Sequence, residues 1–189
     1  MLNFLSLLCM IMLSGCYAGC QPRLISDVDT SDRVEIEDCN NDVDDYACNI
    51  VGKNSDGLYH DLYMHQGKPI VVDISAMWCG YCQRAGMESQ EVQDKYDDID
   101  LVFMTVLSQN FSGESPTLTD LKNWEDNFSI SSAPVVSTST DVLSSDPKTG
   151  YSVQGFPTFV FIDKNLKIVY IQRGYNMQYS EYVIDTMLR

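Results

Sequence analysis

Ile70-Val71-Val72-Asp73-Ile74 is a short, almost wholly β-branched run that leads through Ser75-Ala76 to Met77-Trp78-Cys79-Gly80-Tyr81-Cys82, and from there into Gln83–Tyr96, a stretch of helix-forming composition. Consecutive apolar positions of this kind fit a central strand covered on both faces. The order strand, loop, helix puts two cysteines at a helix entrance. Their i to i+3 spacing sets both sulfurs on one helix face, within reach of a disulfide. A chain built this way is held to an α/β fold in which a buried strand feeds a helix whose first turn carries a dithiol.

The chemistry of such a pair follows from its position. A thiolate, not a thiol, attacks a disulfide, and the free N–H groups of a helix N-terminus favour the anion. Cys79, at the entrance and nearer solvent, is therefore the expected nucleophile. Cys82, one turn further in, is placed to resolve the mixed disulfide. Asp73 is the only charged residue of the run Pro69–Ile74. A buried carboxylate is costly unless it has a partner or a task, and a raised pKa suits it to shuttle the Cys82 proton.

The remaining elements are legible by pattern. Asp56-Gly57 reads as a hairpin turn leading into Leu58–Met64. Ile99–Val106 reads as a second buried strand, and Ser115-Pro116 as a helix start followed by Leu118, Leu121, Trp124 and Phe128 at helical spacing. Pro134-Val135-Val136 opens a short strand, and Ser137–Thr149 a surface loop with a turn at Asp146–Gly150. Thr158–Ile162 and Lys167–Gln172, joined by Asp163-Lys164-Asn165, form a hairpin. A last helix, capped near Ser180, is expected to turn Tyr182, Val183, Met187 and Leu188 inward over the sheet.

The N-terminus has a different character. Leu7–Leu13 is an apolar run far shorter than the roughly 20 residues of a membrane span, and it reads as a signal peptide over residues 1–15. Leu13-Ser14-Gly15-Cys16 resembles a bacterial lipobox, which implies lipidation of Cys16 and a membrane-anchored protein of the cell envelope. Residues 16–45 are expected to be an acidic tether: from Asp27 to Asp45 nine acids stand against Arg33 alone, and such a block repels itself. The 189-residue chain carries 27 acidic and 12 basic residues, a formal charge of -15, which excludes a nucleic-acid-binding surface. Of seven cysteines, Cys39 and Cys48 suit a local disulfide in an oxidising compartment, with Cys20 as an alternative partner for either. No metal site or cofactor is expected, because neither His60 nor His65 stands at ligand spacing to a cysteine pair.

Asp73 ahead of the pair, Trp78 beside it, Cys79-Gly80-Tyr81-Cys82 itself, and Gly155-Phe156-Pro157-Thr158 opening a strand far downstream together resemble thioredoxin-fold proteins. The long segment between Val106 and Gly155 and the Gly67-Lys68-Pro69 lead-in resemble the membrane-tethered TlpA/ResA-type branch, over about residues 46–189. The resemblance implies a central mixed sheet flanked by helices, with an insertion between the βαβ and ββα halves. It implies a cis peptide bond at Pro157 facing the cysteines, with Trp78, Phe156 and Pro157 contacting substrate. It further implies thiol–disulfide exchange with protein disulfides, as a reductant supplied with electrons by a membrane thiol protein. Met87, preceded by Gly86, stands where many relatives carry a kinking proline. Gly80-Tyr81 is the dipeptide of the DsbC-type isomerase, so isomerase or oxidase activity is the alternative poise. A copper-carrying reading rests on two soft thiolates, but the Sco type it would resemble adds a histidine downstream, whereas His60 and His65 both precede Cys79.

Overall fold

A computed structural model of the protein describes residues 36–188; the expected signal peptide, Cys16, Cys20 and most of the tether lie outside them. Ten regular elements follow in order: β1 (Val51–Lys53), β2 (Tyr59–Asp61), β3 (Ile70–Ala76), α1 (Gly80–Lys95), β4 (Val102–Gln109), α2 (Leu118–Phe128), β5 (Val135–Ser137), β6 (Thr158–Ile162), β7 (Ile168–Arg173) and α3 (Met177–Met187). The strands make one mixed sheet in the order β2-β1-β5-β4-β3-β6-β7. β3 runs parallel to β4 and antiparallel to β6, with Asp73 opposite Thr105 on one side and Phe159 on the other.

All seven residues of β3 are buried, as its mainly apolar, β-branched composition suits a strand flanked on both faces. Ile70, Val72 and Ile74 pack with Leu62, Met104, Val106, Val160 and Ile168. Val71, between them, packs with Phe103, Phe159 and Phe161 under Ala85 and Val92 of α1 and Val183 and Ile184 of α3. Each such side chain stabilises the fold by roughly 1.5–3 kcal/mol when fully buried. At the C-terminal end of β3 a third cluster joins Ala76, Met77, Cys79 and Cys82 to Leu121, Trp124 and Val135.

Gly86 explains how α2 reaches this cluster. A β-carbon there would lie 2.8 Å from Phe128 Cδ2 and 2.9 Å from Trp124 Cζ2, so the missing side chain is the space the two rings occupy. α1 runs without interruption from Gly80 to Lys95 through Gly86 and Met87. α2 is capped by Thr117, whose hydroxyl accepts from the Asp120 amide while the Asp120 carboxylate accepts from the Thr117 amide. Leu118, at the first helical position, is exposed, and Leu121 and Trp124 carry the packing.

Several expectations are corrected. β4 begins at Val102, because Asp97–Ile99 forms a 3-10 turn closed by Asp100 at φ 57°. α3 starts earlier than read: Asn176 is its cap, accepting from the Tyr179 amide, and Ser180 is a buried interior position that donates to Gln172 Oε1. With that start the buried stripe is Met177, Ser180, Val183 and Ile184, and the helical period of about 3.6 residues turns Tyr182 and Leu188 to solvent. The acidic stretch does not stay extended to residue 45. Cys39 is joined to Cys48 by a disulfide, the Asn41 side chain bridges the Cys48 amide and the Gly150 carbonyl, and Asp44 and Asp45 exchange backbone hydrogen bonds with Ile168. Asn41 is buried, so a polar side chain satisfies backbone groups that the sheet leaves unpaired here.

Candidate active site

The site is assembled where β3 ends. Ala76 O accepts from the Cys79 amide, and the Met77 amide donates to Gln109 O at the end of β4, so the descending loop is fixed to the sheet at two points. The Gln83 side chain closes the loop from the other side by donating to Met77 O at 2.8 Å. α1 then starts with Cys79 as its cap: φ -82°, ψ 116°, and a Sγ that accepts from the Cys82 amide at 3.2 Å. The Cys79 sulfur thereby satisfies one of the N–H groups that an α-helix leaves unpaired in its first turn. Both cysteines are free thiols; Cys79 is 7% exposed and Cys82 fully buried.

Beneath them Asp73 is fully buried. Its Oδ1 accepts from the Ser75 hydroxyl at 2.6 Å, and its Oδ2 has no hydrogen-bond partner among the described residues. Burial raises its pKa to about 7, against the smaller lowering effect of the Ser75 hydrogen bond. A carboxyl so placed gains and loses a proton near neutrality. The Cys82 thiol is held far above the ordinary cysteine range, chiefly by burial and next by the negative charge of Asp73. The two shifts share burial as their first cause, and the Asp73 charge adds to that of Cys82.

The peptide bond between Phe156 and Pro157 is cis. Phe156 packs against the cluster that contains both cysteines, and the Trp78 indole meets the Phe156 ring edge-on, centroids 5.7 Å apart. Trp78 is half exposed, and its Nε1–H donates to Gln109 Oε1 at 2.9 Å. Tyr81 is exposed and stacks on Tyr175, with the Arg84 guanidinium over its ring, 5.6 Å from the centroid. The rim of the cysteine pair is thus largely aromatic, while the only carboxyl beneath it among the described residues is Asp73.

Sheet and helix arrangement, cis-proline and dithiol at a helix entrance match one family. A model of the thioredoxin-like domain matches residues 61–182. The chain belongs to the thioredoxin-like family. Its enzyme class is that of the thiol–disulfide oxidoreductases. No curated protein sequence matches it. Among solved structures it is similar to the thiol:disulfide interchange protein DsbE of Chlorobium tepidum, at 22% identity and a TM-score of 0.62, covering 78% of this chain and 96% of the other. It is also similar to the exposed lipoprotein thioredoxin of Streptococcus pneumoniae, at 26% identity and a TM-score of 0.59, covering 74% and 98%. The thioredoxin domain of a thiol-disulfide oxidoreductase from Bacteroides vulgatus matches at 19% identity and a TM-score of 0.61, over 76% and 96%.

In this thioredoxin-like protein, Asp73, Trp78, Cys79, Cys82, Phe156 and Pro157 come from β3, the loop after it, α1 and the entry to β6. Cys39 and Cys48 stand elsewhere, at the N-terminal edge of the domain. The sequence did not single out Ser75 or Gln109. Ser75 could have been found as the polar residue two positions after Asp73 in the strand period, hence on the same face. Gln109 left no such signal, since only the pairing of β3 with β4 brings it to Trp78. Among the described residues no helix is long and apolar enough to cross a membrane.

Proposed function

We propose that the protein reduces disulfides in other proteins through the Cys79/Cys82 pair. The observation that carries this reading is the cap of α1: Cys79 Sγ accepts from the Cys82 amide while the buried Cys82 thiol stands one turn behind it, with the buried Asp73 nearby. Cys79 attacks a substrate disulfide, forming a mixed disulfide and releasing one substrate thiolate. Cys82 then gives its proton towards Asp73 and attacks Cys79 Sγ, releasing the second thiolate and leaving Cys79–Cys82 oxidised. Two electrons pass from the dithiol to the substrate, and an external thiol donor must return them.

Trp78, Phe156 and the cis Pro157 form the substrate contact: an incoming chain lies against the exposed indole and pairs with backbone freed at the cis bond. The N-terminal motif supports a setting in the bacterial envelope, with residues 1–15 as signal, Cys16 lipidated, and an acidic tether running up to Cys39, where the folded domain takes over. The pneumococcal relative, an exposed lipoprotein thioredoxin, supports the same setting.

The test is reduction of insulin with a thiol donor in excess. Activity that disappears in Cys79→Ser and in Cys82→Ser supports the reading, and full activity in either variant rejects it. Poise is measured separately by equilibration with thiol–disulfide buffers. A potential near about -270 mV fits a reductant, and one above about -180 mV fits an oxidant or isomerase.

A further inference from the structure

Resolution of the mixed disulfide has a difficulty of its own. Cys82 is fully buried and its thiol resists ionisation, yet only its thiolate attacks. Asp73 is the carboxyl that takes up a proton near neutrality, but the side chain it touches is Ser75: the Ser75 hydroxyl donates to Asp73 Oδ1 at 2.6 Å. Ser75 is itself fully buried, on the same β3 face as Asp73, and it is a hydroxyl in a run that is otherwise apolar apart from Asp73. Its carbonyl is pinned by the Ser108 hydroxyl of β4 at 3.1 Å, which fixes the backbone that carries it. The same hydroxyl favours the Cys82 thiolate, opposing burial and the Asp73 charge. A serine can accept one proton while donating another, which a carbon side chain at this position cannot do.

We propose that Ser75 is the proton relay between Cys82 and Asp73 in the resolving step. The Cys82 S–H proton passes to Ser75 Oγ as the Ser75 hydroxyl proton passes to the ionised Asp73 Oδ1. The Cys82 sulfur then forms its bond to Cys79 Sγ, the bond from Cys79 to the substrate sulfur breaks, and the substrate leaves as a thiolate that takes its proton from solvent. Asp73 ends protonated and Ser75 neutral. The step uses Asp73 as its only base. The relay rests on Cys82 being the resolving thiol and Asp73 its proton acceptor, as proposed above.

The experiment is single-turnover reaction of the reduced, full-length protein with dithiobis-nitrobenzoate across pH 5.5 to 9, by stopped flow. Attack by Cys79 releases the first coloured thiolate, and attack by Cys82 on the mixed disulfide releases the second. The expected wild-type second phase rises with pH through a midpoint near the Asp73 value of about 7. Ser75→Ala is expected to slow that phase by at least about tenfold at pH 7.5 and to flatten its midpoint, towards the roughly 10²–10⁴-fold that a positioned proton-transfer group contributes. Ser75→Thr restores the hydroxyl and is expected to recover both rate and midpoint to within about threefold, an outcome that loss of packing does not give. Circular dichroism melts check that the variants are folded. A wild-type second-phase rate and midpoint in Ser75→Ala overturns the relay while leaving the exchange reaction standing, and so does an equally slow Ser75→Thr. Absence of any second phase in the wild type overturns the relay together with the resolving role of Cys82.

Discussion

The Trp78 indole is held from both sides: its Nε1–H donates to Gln109 Oε1 at 2.9 Å, and its ring stands edge-on to Phe156. A residue that is half exposed is thereby fixed in one orientation beside Cys79, and it joins the motif loop to the cis-proline loop. Aromatic side chains displayed rigidly at a contact carry a large share of binding energy. Trp78→Ala is expected to lower kcat/KM for a protein disulfide by roughly tenfold and to change the rate with a small aromatic disulfide far less. Comparing the two substrates in steady state checks this. An equal loss on both would place Trp78 in the reaction at Cys79 rather than in substrate docking.

Asp73 weakens the fold at alkaline pH. Its pKa is about 7 in the folded protein against an ordinary 3.8, so between those values the folded state holds a proton that the unfolded state has released. Stability therefore falls as pH rises through that window, by about 4 kcal/mol in total if the whole difference is expressed. Asp73→Asn is expected to melt higher than wild type at pH 8.5, by roughly 5–15 °C for a domain of this size, and at nearly the same temperature at pH 3.5. Melts of the reduced proteins at the two pH values measure it.

The histidine pair works in the opposite direction. His60 Nε2 and His65 Nε2 lie 2.8 Å apart, so one ring donates to the other and they cannot both be protonated without breaking the contact. His65 is pushed down to about 4, first by burial, then by His60 and Lys68, with Asp61 opposing. A base whose folded pKa is depressed adds stability above its unfolded value of about 6.5 and loses it as pH falls towards 4. His65→Gln is expected to flatten the decline of melting temperature between pH 6.5 and 4, as followed by circular dichroism.

The Cys39–Cys48 disulfide closes a short loop against the segment 147–151, where the Tyr151 hydroxyl donates to Cys48 O at 2.6 Å. It stands apart from Cys79 and Cys82. Replacing both cysteines with alanine is expected to cost about 2.5–3 kcal/mol of stability, the loop-closure value for a ring of about ten residues, with insulin reduction retained. Urea denaturation and the reduction assay together test the separation of roles.

Much of the site was legible because it is local. Cys79, Cys82, Trp78 and Asp73 all lie within one strand, one loop and one helix turn, where spacing alone sets direction and face. β3, β6 and β7 were readable for the same reason: their apolar runs are bounded by turn residues. The start of α3 was not, because Asn176 and Ser180 are both competent caps, and the choice between them depends on which helix face meets Gln172 once β7 is in place. Ile99 belongs to an apolar-looking run but falls in a 3-10 turn, since Asp100 adopts a left-handed conformation before β4 can begin.

By itself the sequence determined a dithiol at a helix entrance behind a buried strand, and a single carboxyl in that strand, since these follow from residue type and period along one stretch of chain. Only the tertiary structure decided what those groups touch. The pairing of β3 with β4 brings Gln109 to Trp78, the segment entering β6 brings Phe156 against the indole, and full burial between the packed elements moves the Asp73 proton to neutral pH. Those effects depend on distance and on exclusion of water between segments far apart in the chain, which no local pattern encodes.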